Sequence, residues 1–284
     1  MARPYDDEPA GPRGMPQMSL PRLTKVVRRL IFANVAVFVP FFLWWYTDAN
    51  ILGLRYSDLV HHLGLDATRW TTQFPLAPIW QLFTYGFLHA PNSIGHILSN
   101  LLMLYFFGTM LEERLGSRRF FLTYLAAQVC GALFFLVPAL FGVLEAPAIG
   151  ASGAVYGVMI AVATLYPNQI VFLFFLPLKL KWLAIGVVGI AAFSALVDLK
   201  QGSDGTAHLI HLGGAAYGYL AVRFGLIEKD PIQIFERKRA VMQVAREADD
   251  EVRMDRLLEK IHQEGMASLS RSEKEFLKRM SSRR

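Results

Sequence analysis

Cysteine is almost missing from this chain: a single residue, Cys130, among 284. A lone cysteine excludes an intrachain disulfide, and inside an apolar stretch it reads as a small core residue. Charge is scarce as well. Asp, Glu, Lys and Arg make up 18% of the residues, against 54% for the hydrophobic set, a balance that points to a polytopic, all-α membrane protein. The first 20 residues contain no apolar run that would read as a signal h-region. They are rich in Pro, Gly and charge, and are expected to be a disordered segment. The formal net charge of +6 calls for no nucleic acid, because basic loops facing anionic membrane lipid account for it.

What the chain does have is apolar sequence in six stretches: Leu30–Thr47, Ile94–Leu111, Phe120–Leu144, Ser152–Tyr166, Trp182–Leu199 and His208–Ile227. A further run, Ile170–Leu178, is too short to span and reads as a re-entrant or interfacial piece. Lys and Arg collect before the first stretch (Arg22, Lys25, Arg28, Arg29), between the second and third (Arg114, Arg118, Arg119) and around Lys179 and Lys181. The loop around Glu145 has none. This asymmetry orients a six-span bundle with both termini cytoplasmic, and the expected setting is a bacterial inner membrane. Trp70 and Trp80 in the long first loop mark a segment at the membrane interface. The division is a disordered segment over 1–20, a six-span membrane domain over 21–229 and a cytoplasmic helical tail over 230–284.

In the tail, Val252, Met254, Leu257, Leu258 and Ile261 fall near helical spacing, and Gly265 is placed to end that helix. Ser270 and Glu273 form a capping box for a second helix bearing Phe276, Leu277 and Met280. A helical hairpin results. It reads as a docking or stability appendage whose partner the sequence does not name.

Ser152 opens the shortest of the six stretches. At ~1.5 Å per residue, roughly 15 helical residues reach about 22 Å, less than the ~30 Å hydrocarbon core. If the helix starts from one surface at Tyr166-Pro167-Asn168, Ser152 sits below the other surface. There it lies at a helix N-terminus whose free N–H groups favour an oxyanion. A hydroxyl in that place is a candidate nucleophile if a base reaches it. The last stretch supplies imidazoles, His208 and His211, in its first third, and ionisable residues inside a span mark function. Gly153 and Gly157 in one stretch, and Gly214 and Gly218 in the other, have the GxxxG spacing that allows close backbone approach. If those faces meet, Ser152 and His211 come within reach of each other.

His96 and Asn100 are four residues apart and share one helix face. Such residues in membrane helices commonly serve as interhelical glue. Two donors at the depth of Ser152 also suit a developing oxyanion. At this point the residues resemble those of the rhomboid intramembrane serine proteases, over about Leu30 to Ile227. His96-Ile-Leu-Ser-Asn100 is similar to the family's HxxxN, and Gly108, Glu112 and Gly116 to its GxxxExxxG. Gly150-Ala-Ser152-Gly153, with Tyr156 four residues past the serine, is similar to its GxSG. Ala207-His208 and His211-Leu-Gly-Gly214 resemble the last-span histidine motif.

The resemblance implies a rhomboid-like bundle with a Ser–His dyad: Ser152 as nucleophile, His211 as general base and Tyr156 packed on the imidazole. His96, Asn100 and the Ser152 N–H would form the oxyanion hole. Glu112 would tie the loop after the second span, or else face the interface. His208 competes with His211 as base, with a poorer fit to the family's spacing. His89 and His96 are seven apart, longer than the family's paired histidines, which leaves the role of His89 open. No acidic residue lies in the apolar part of a span near Ser152, and Lys179 and Lys181 belong to the opposite side, so a dyad is favoured over a triad or a Ser–Lys pair. The expected activity is endopeptidase cleavage of transmembrane protein substrates near their non-cytoplasmic end, with no metal and no cofactor. Two other readings remain. One is a metal-dependent hydrolase clustering His89, His96, His208 and His211, without an acidic or thiol ligand to complete it. The other is a non-catalytic binder of membrane proteins.

Overall fold

Long apolar runs with few helix breakers fold as helices, and a computed structural model shows them as such. It describes residues 21–51, 53–73, 76–139, 147–173, 176–201 and 206–281. The expectation of disorder over 1–20 and the loop around Glu145 lie outside the described residues. In chain order the helices are α1 (Lys25–Thr47), α2 (Tyr56–Leu63), α3 (Ala67–Thr72), α4 (Gln81–Thr84), α5 (Ile94–Met103), α6 (Thr109–Leu115), α7 (Ser117–Ala139), α8 (Ser152–Leu165), α9 (Leu180–Gln201), α10 (Thr206–Arg223), α11 (Pro231–Glu264) and α12 (Arg271–Ser281). A π-helical turn, Leu104–Gly108, joins α5 to α6 without a break.

Among the described residues, each of the six apolar stretches falls mainly on helix. Four helices among the described residues are long and apolar enough to cross a membrane: Lys25–Thr47, Ile94–Leu115, Ser117–Pro138 and Leu180–Asp198. Their outer faces carry large apolar residues such as Phe32, Leu133, Ile190 and Phe193, as a face turned to lipid requires. Helix α8 is shorter, at 14 residues, and is enclosed on nearly every side. A helix that is apolar all round belongs in a core.

The all-α expectation needs one correction. The short run after α8 forms two antiparallel strands, β1 (Ile170–Leu173) and β2 (Leu176–Lys179), with Ile170 opposite Lys179 and Leu173 opposite Leu176. Short apolar runs do not reveal their period. Here Leu180 N–H donates to the Gln169 carbonyl and closes the hairpin onto the start of α9.

Helices α7, α8 and α10 form the centre, and glycine decides how closely they approach. A Cβ on Gly214 would overlap the Gly153 carbonyl, and one on Gly218 the Gly157 carbonyl. One on Gly157 would overlap Ala127 of α7. The two GxxxG faces read from the sequence therefore meet, with backbone against backbone.

Glu112 anchors the other end of the bundle. Its carboxylate is buried and accepts from the N–H groups of Val26 and Val27, the nearest at 2.9 Å, and from the Thr24 and Ser117 hydroxyls. It thus caps the N-terminus of α1, where the helix dipole favours an anion. It also holds the turn into α7. The tie to the loop after the second stretch was legible in the sequence; the clamp on α1, more than 80 residues away, was not.

The segment between α1 and α5 is pinned by side chains. Asp66 caps α3 through the Thr68 N–H at 3.0 Å and pairs with His61 Nδ1 at 2.8 Å. The Gln81 amide accepts from the Asp66 N–H and the Trp70 indole and donates to the His61 carbonyl. The same segment reaches the chain before α8: Leu65 and Ala148 exchange both backbone hydrogen bonds at 2.9 Å.

The chain divides at Glu228/Lys229. In the second unit α11 ends at Gly265, whose φ of +83° suits glycine. The capping box forms as read: Ser270 N–H donates to Glu273 Oε2 at 2.7 Å, and Glu273 N–H to Ser270 Oγ at 3.3 Å. Leu257, Leu269 and Phe276 make a small core with Met254, Ile261, Leu277 and Met280 around it.

Candidate active site

Ser152 is the first residue of α8 and is buried, 8% exposed. Its place is set two residues earlier. Gly150 has φ +130°, a backbone conformation that residues with a Cβ rarely adopt, and its N–H donates to the Tyr85 carbonyl at 2.9 Å. A Cβ there would lie 2.9 Å from His96 Nε2 and 3.6 Å from Ser152 Oγ. The missing side chain of Gly150 thus leaves a space that the imidazole of His96 and the hydroxyl of Ser152 both border.

His96 and Asn100 stand on α5, one turn apart. Asn100 is buried, and its Nδ2 donates to the His96 carbonyl at 2.9 Å. An amide nitrogen carries two hydrogens, so a second donor remains. His89, just before α5, is buried with its ring centroid 5.1 Å from that of His96. Burial, with His96 beside it, pushes the His89 imidazole down to about 4, so it is neutral at pH 7. The sequence left His89 without a place; the structure puts it against His96.

His211 lies on α10 with its ring stacked on Tyr156, centroids 4.1 Å apart and planes 8° from parallel. Tyr156 follows Ser152 by four residues and shares its face of α8. The imidazole therefore lies along the face on which Ser152 stands. Among the described residues, no hydrogen bond joins Ser152 to His211. His208 is directed elsewhere: its Nε2 is 3.5 Å from the Asp198 carboxylate of α9, and its ring is 6.0 Å from that of His211, edge-on. Of the two imidazoles, the one that packs on Tyr156 is His211.

The Rhomboid domain family matches residues 77–227, more than half of the chain. The chain belongs to the rhomboid family. Among its relatives, the mitochondrial RHOMBOID-like protein 12 of Arabidopsis thaliana is 28% identical over 211 residues, 69% of this chain and 57% of its own length. The mitochondrial Rhomboid protein 1 of Saccharomyces cerevisiae is 36% identical over 138 residues, 48% of this chain and 39% of its own. The chloroplastic Rhomboid-like protein 11 of Arabidopsis thaliana is 31% identical over 166 residues, 51% of this chain and 52% of its own. The chain thus spans little more than half the length of these rhomboid relatives, or less. A family of unknown function (DUF6576) matches residues 245–283 in the second unit.

These relatives correct the setting read from the sequence. Rhomboid relatives with mitochondrial and chloroplast names overturn the expected bacterial inner membrane. The physical reason is that loop charge reports which side of a membrane keeps the Lys and Arg residues and carries no information on which membrane it is.

Three contributors to the candidate site escaped the sequence reading: Tyr85, whose carbonyl holds Gly150, and the Leu65–Ala148 pair that fixes the chain leading to it. The available signal was Gly150 itself, since a glycine two residues before a buried serine marks a backbone that needs positive φ.

Proposed function

We propose that this rhomboid-family chain is an intramembrane serine endopeptidase acting on transmembrane protein substrates through Ser152 and His211. The observation that carries the reading is the Tyr156–His211 stack, which holds a base candidate on the Ser152 face of α8. In the reaction, His211 takes the Ser152 proton as Oγ attacks the scissile carbonyl. The tetrahedral oxyanion is assigned to the space beside Gly150 that His96 borders, with the Asn100 amide and the first N–H groups of α8 as its further donors. Collapse expels the amine with the proton from His211, and water then hydrolyses the acyl-enzyme. Hydrogen bonds of such pairs are often loose without substrate and tighten around it, which fits the absence of a Ser152–His211 bond among the described residues.

The full reading has six membrane-embedded helices, with α8 and α10 joining the four long ones, and the site toward the face opposite the chain termini. The substrate helix would have to unwind locally, because its carbonyls are engaged in i→i−4 bonds. Lipid is the surrounding partner, and the unit after Glu228 takes no part in the chemistry.

The test is labelling of membranes with a fluorophosphonate together with cleavage of a reporter transmembrane substrate. The wild-type chain labels at Ser152 and cleaves, and Ser152→Ala and His211→Ala do neither while still inserting normally. Full cleavage by either variant removes the dyad. A folded wild-type chain that neither labels nor cleaves makes it a non-catalytic member of the family.

A further inference from the structure

Two to three turns along α8 from Ser152, an apolar crevice of about 890 Å³ opens between α9 and α10. Ile160 of α8 and Leu212 of α10 contribute to its lining, and the polar exceptions gather at one end. There Lys181, in the first turn of α9, and Arg223, the last residue of α10, both reach it. Lys181 lies over the Trp182 ring, 5.6 Å from its centroid. Among the described residues neither cation has a carboxylate partner. The end of α8, the start of α9 and the end of α10 come together at this level, so the two charges sit where the bundle leaves hydrocarbon.

An apolar crevice does not hold water, and one open to a bilayer is filled by acyl chains. Unpaired Lys and Arg at headgroup level are what recognise a lipid phosphate, and basic pockets between membrane helices bind anionic headgroups. A protein helix is the poorer occupant on charge. Segments flanking spans on this side carry Lys and Arg by the same rule that placed Lys179 and Lys181 here, so like charges would meet.

We propose that the crevice is a specific site for one anionic glycerophospholipid, its phosphate between Lys181 and Arg223 and an acyl chain along Ile160 and Leu212. The site is independent of whether Ser152 is a nucleophile. Its depth depends partly on Gly189 of α9, which lines it and where an added Cβ would meet nothing within 4 Å.

The experiment is native mass spectrometry of the full-length protein in detergent. The protein is offered equal amounts of palmitoyl-oleoyl phosphatidylglycerol and phosphatidylcholine, and single-lipid adducts are counted. The wild-type protein retains phosphatidylglycerol in preference. Lys181→Gln or Arg223→Gln lowers that preference about fivefold each, and the double variant roughly thirtyfold. Gly189→Leu, which fills the crevice with a better helix former, lowers phosphatidylglycerol retention while leaving the melting temperature in lipid-free detergent unchanged. Equal retention of both lipids by the wild type overturns the proposal, as does a preference that survives the double variant. Unchanged retention in Gly189→Leu overturns it by placing the headgroup on an open surface, and displacement of the lipid by excess glycerol 3-phosphate by reducing the site to free phosphate. A dimer dissociated by Gly189→Leu but not by phosphatidylglycerol overturns it too, by making the occupant a second copy of this chain.

Discussion

The ring of Tyr156 lies flat on the imidazole of His211, 4.1 Å between centroids. The stack depends on the ring and not on the hydroxyl. Tyr156→Phe is expected to keep most reporter cleavage, and Tyr156→Ala to lose on the order of a hundredfold in kcat through a misplaced base. Steady-state kinetics on equal amounts of folded protein decide this. Equal activity in the alanine variant would show that the stack positions nothing.

Gly214 and Gly186 differ in what surrounds them. A Cβ at Gly214 overlaps the backbone of Gly153, whereas one at Gly186 meets nothing within 4 Å. Gly214→Ala should therefore push α10 off α8 and destabilise by about 1–3 kcal/mol. Gly186→Ala should be neutral or stabilise by about 0.4–1 kcal/mol. Thermal melts in detergent compare the two directly.

His96 borders the space beside Gly150, and with Asn100 one turn along α5 it is assigned to the oxyanion. Their alanine variants are expected to lower kcat by roughly tenfold to a thousandfold, with a smaller effect on KM. Weaker binding at unchanged kcat would make them substrate contacts. Loss of folded protein would make them interhelical glue.

His208 is paired with Asp198 and does not touch Tyr156. His208→Ala is expected to retain measurable turnover where His211→Ala has none. An inactive His208→Ala beside an active His211→Ala reverses the assignment of the base.

The unit after Glu228 has its own core around Leu257 and Phe276. Truncation after Lys229 is expected to leave a folded protein that still labels at Ser152. A truncated form that melts like the full chain yet does not label would show that the tail controls the site.

Much of this was legible in the residues because it is local. The apolar stretches, the Gly265 stop and the Ser270–Glu273 box depend on contacts within a few residues, which periodicity and capping chemistry encode. The paired GxxxG spacings were legible for a related reason: a small residue every fourth position leaves a flat face, and two such faces fit each other. The strand pair after α8 was not legible, since eight apolar residues with a proline carry no clear period. Nor was the membrane that holds the chain. What only the tertiary structure decided involves partners far apart in the chain: Glu112 on the start of α1, Tyr85 holding Gly150, His89 against His96, and His208 beside Asp198. A side chain's identity states what it can bond, but the packing of α5, α8 and α10 selects which partner it meets.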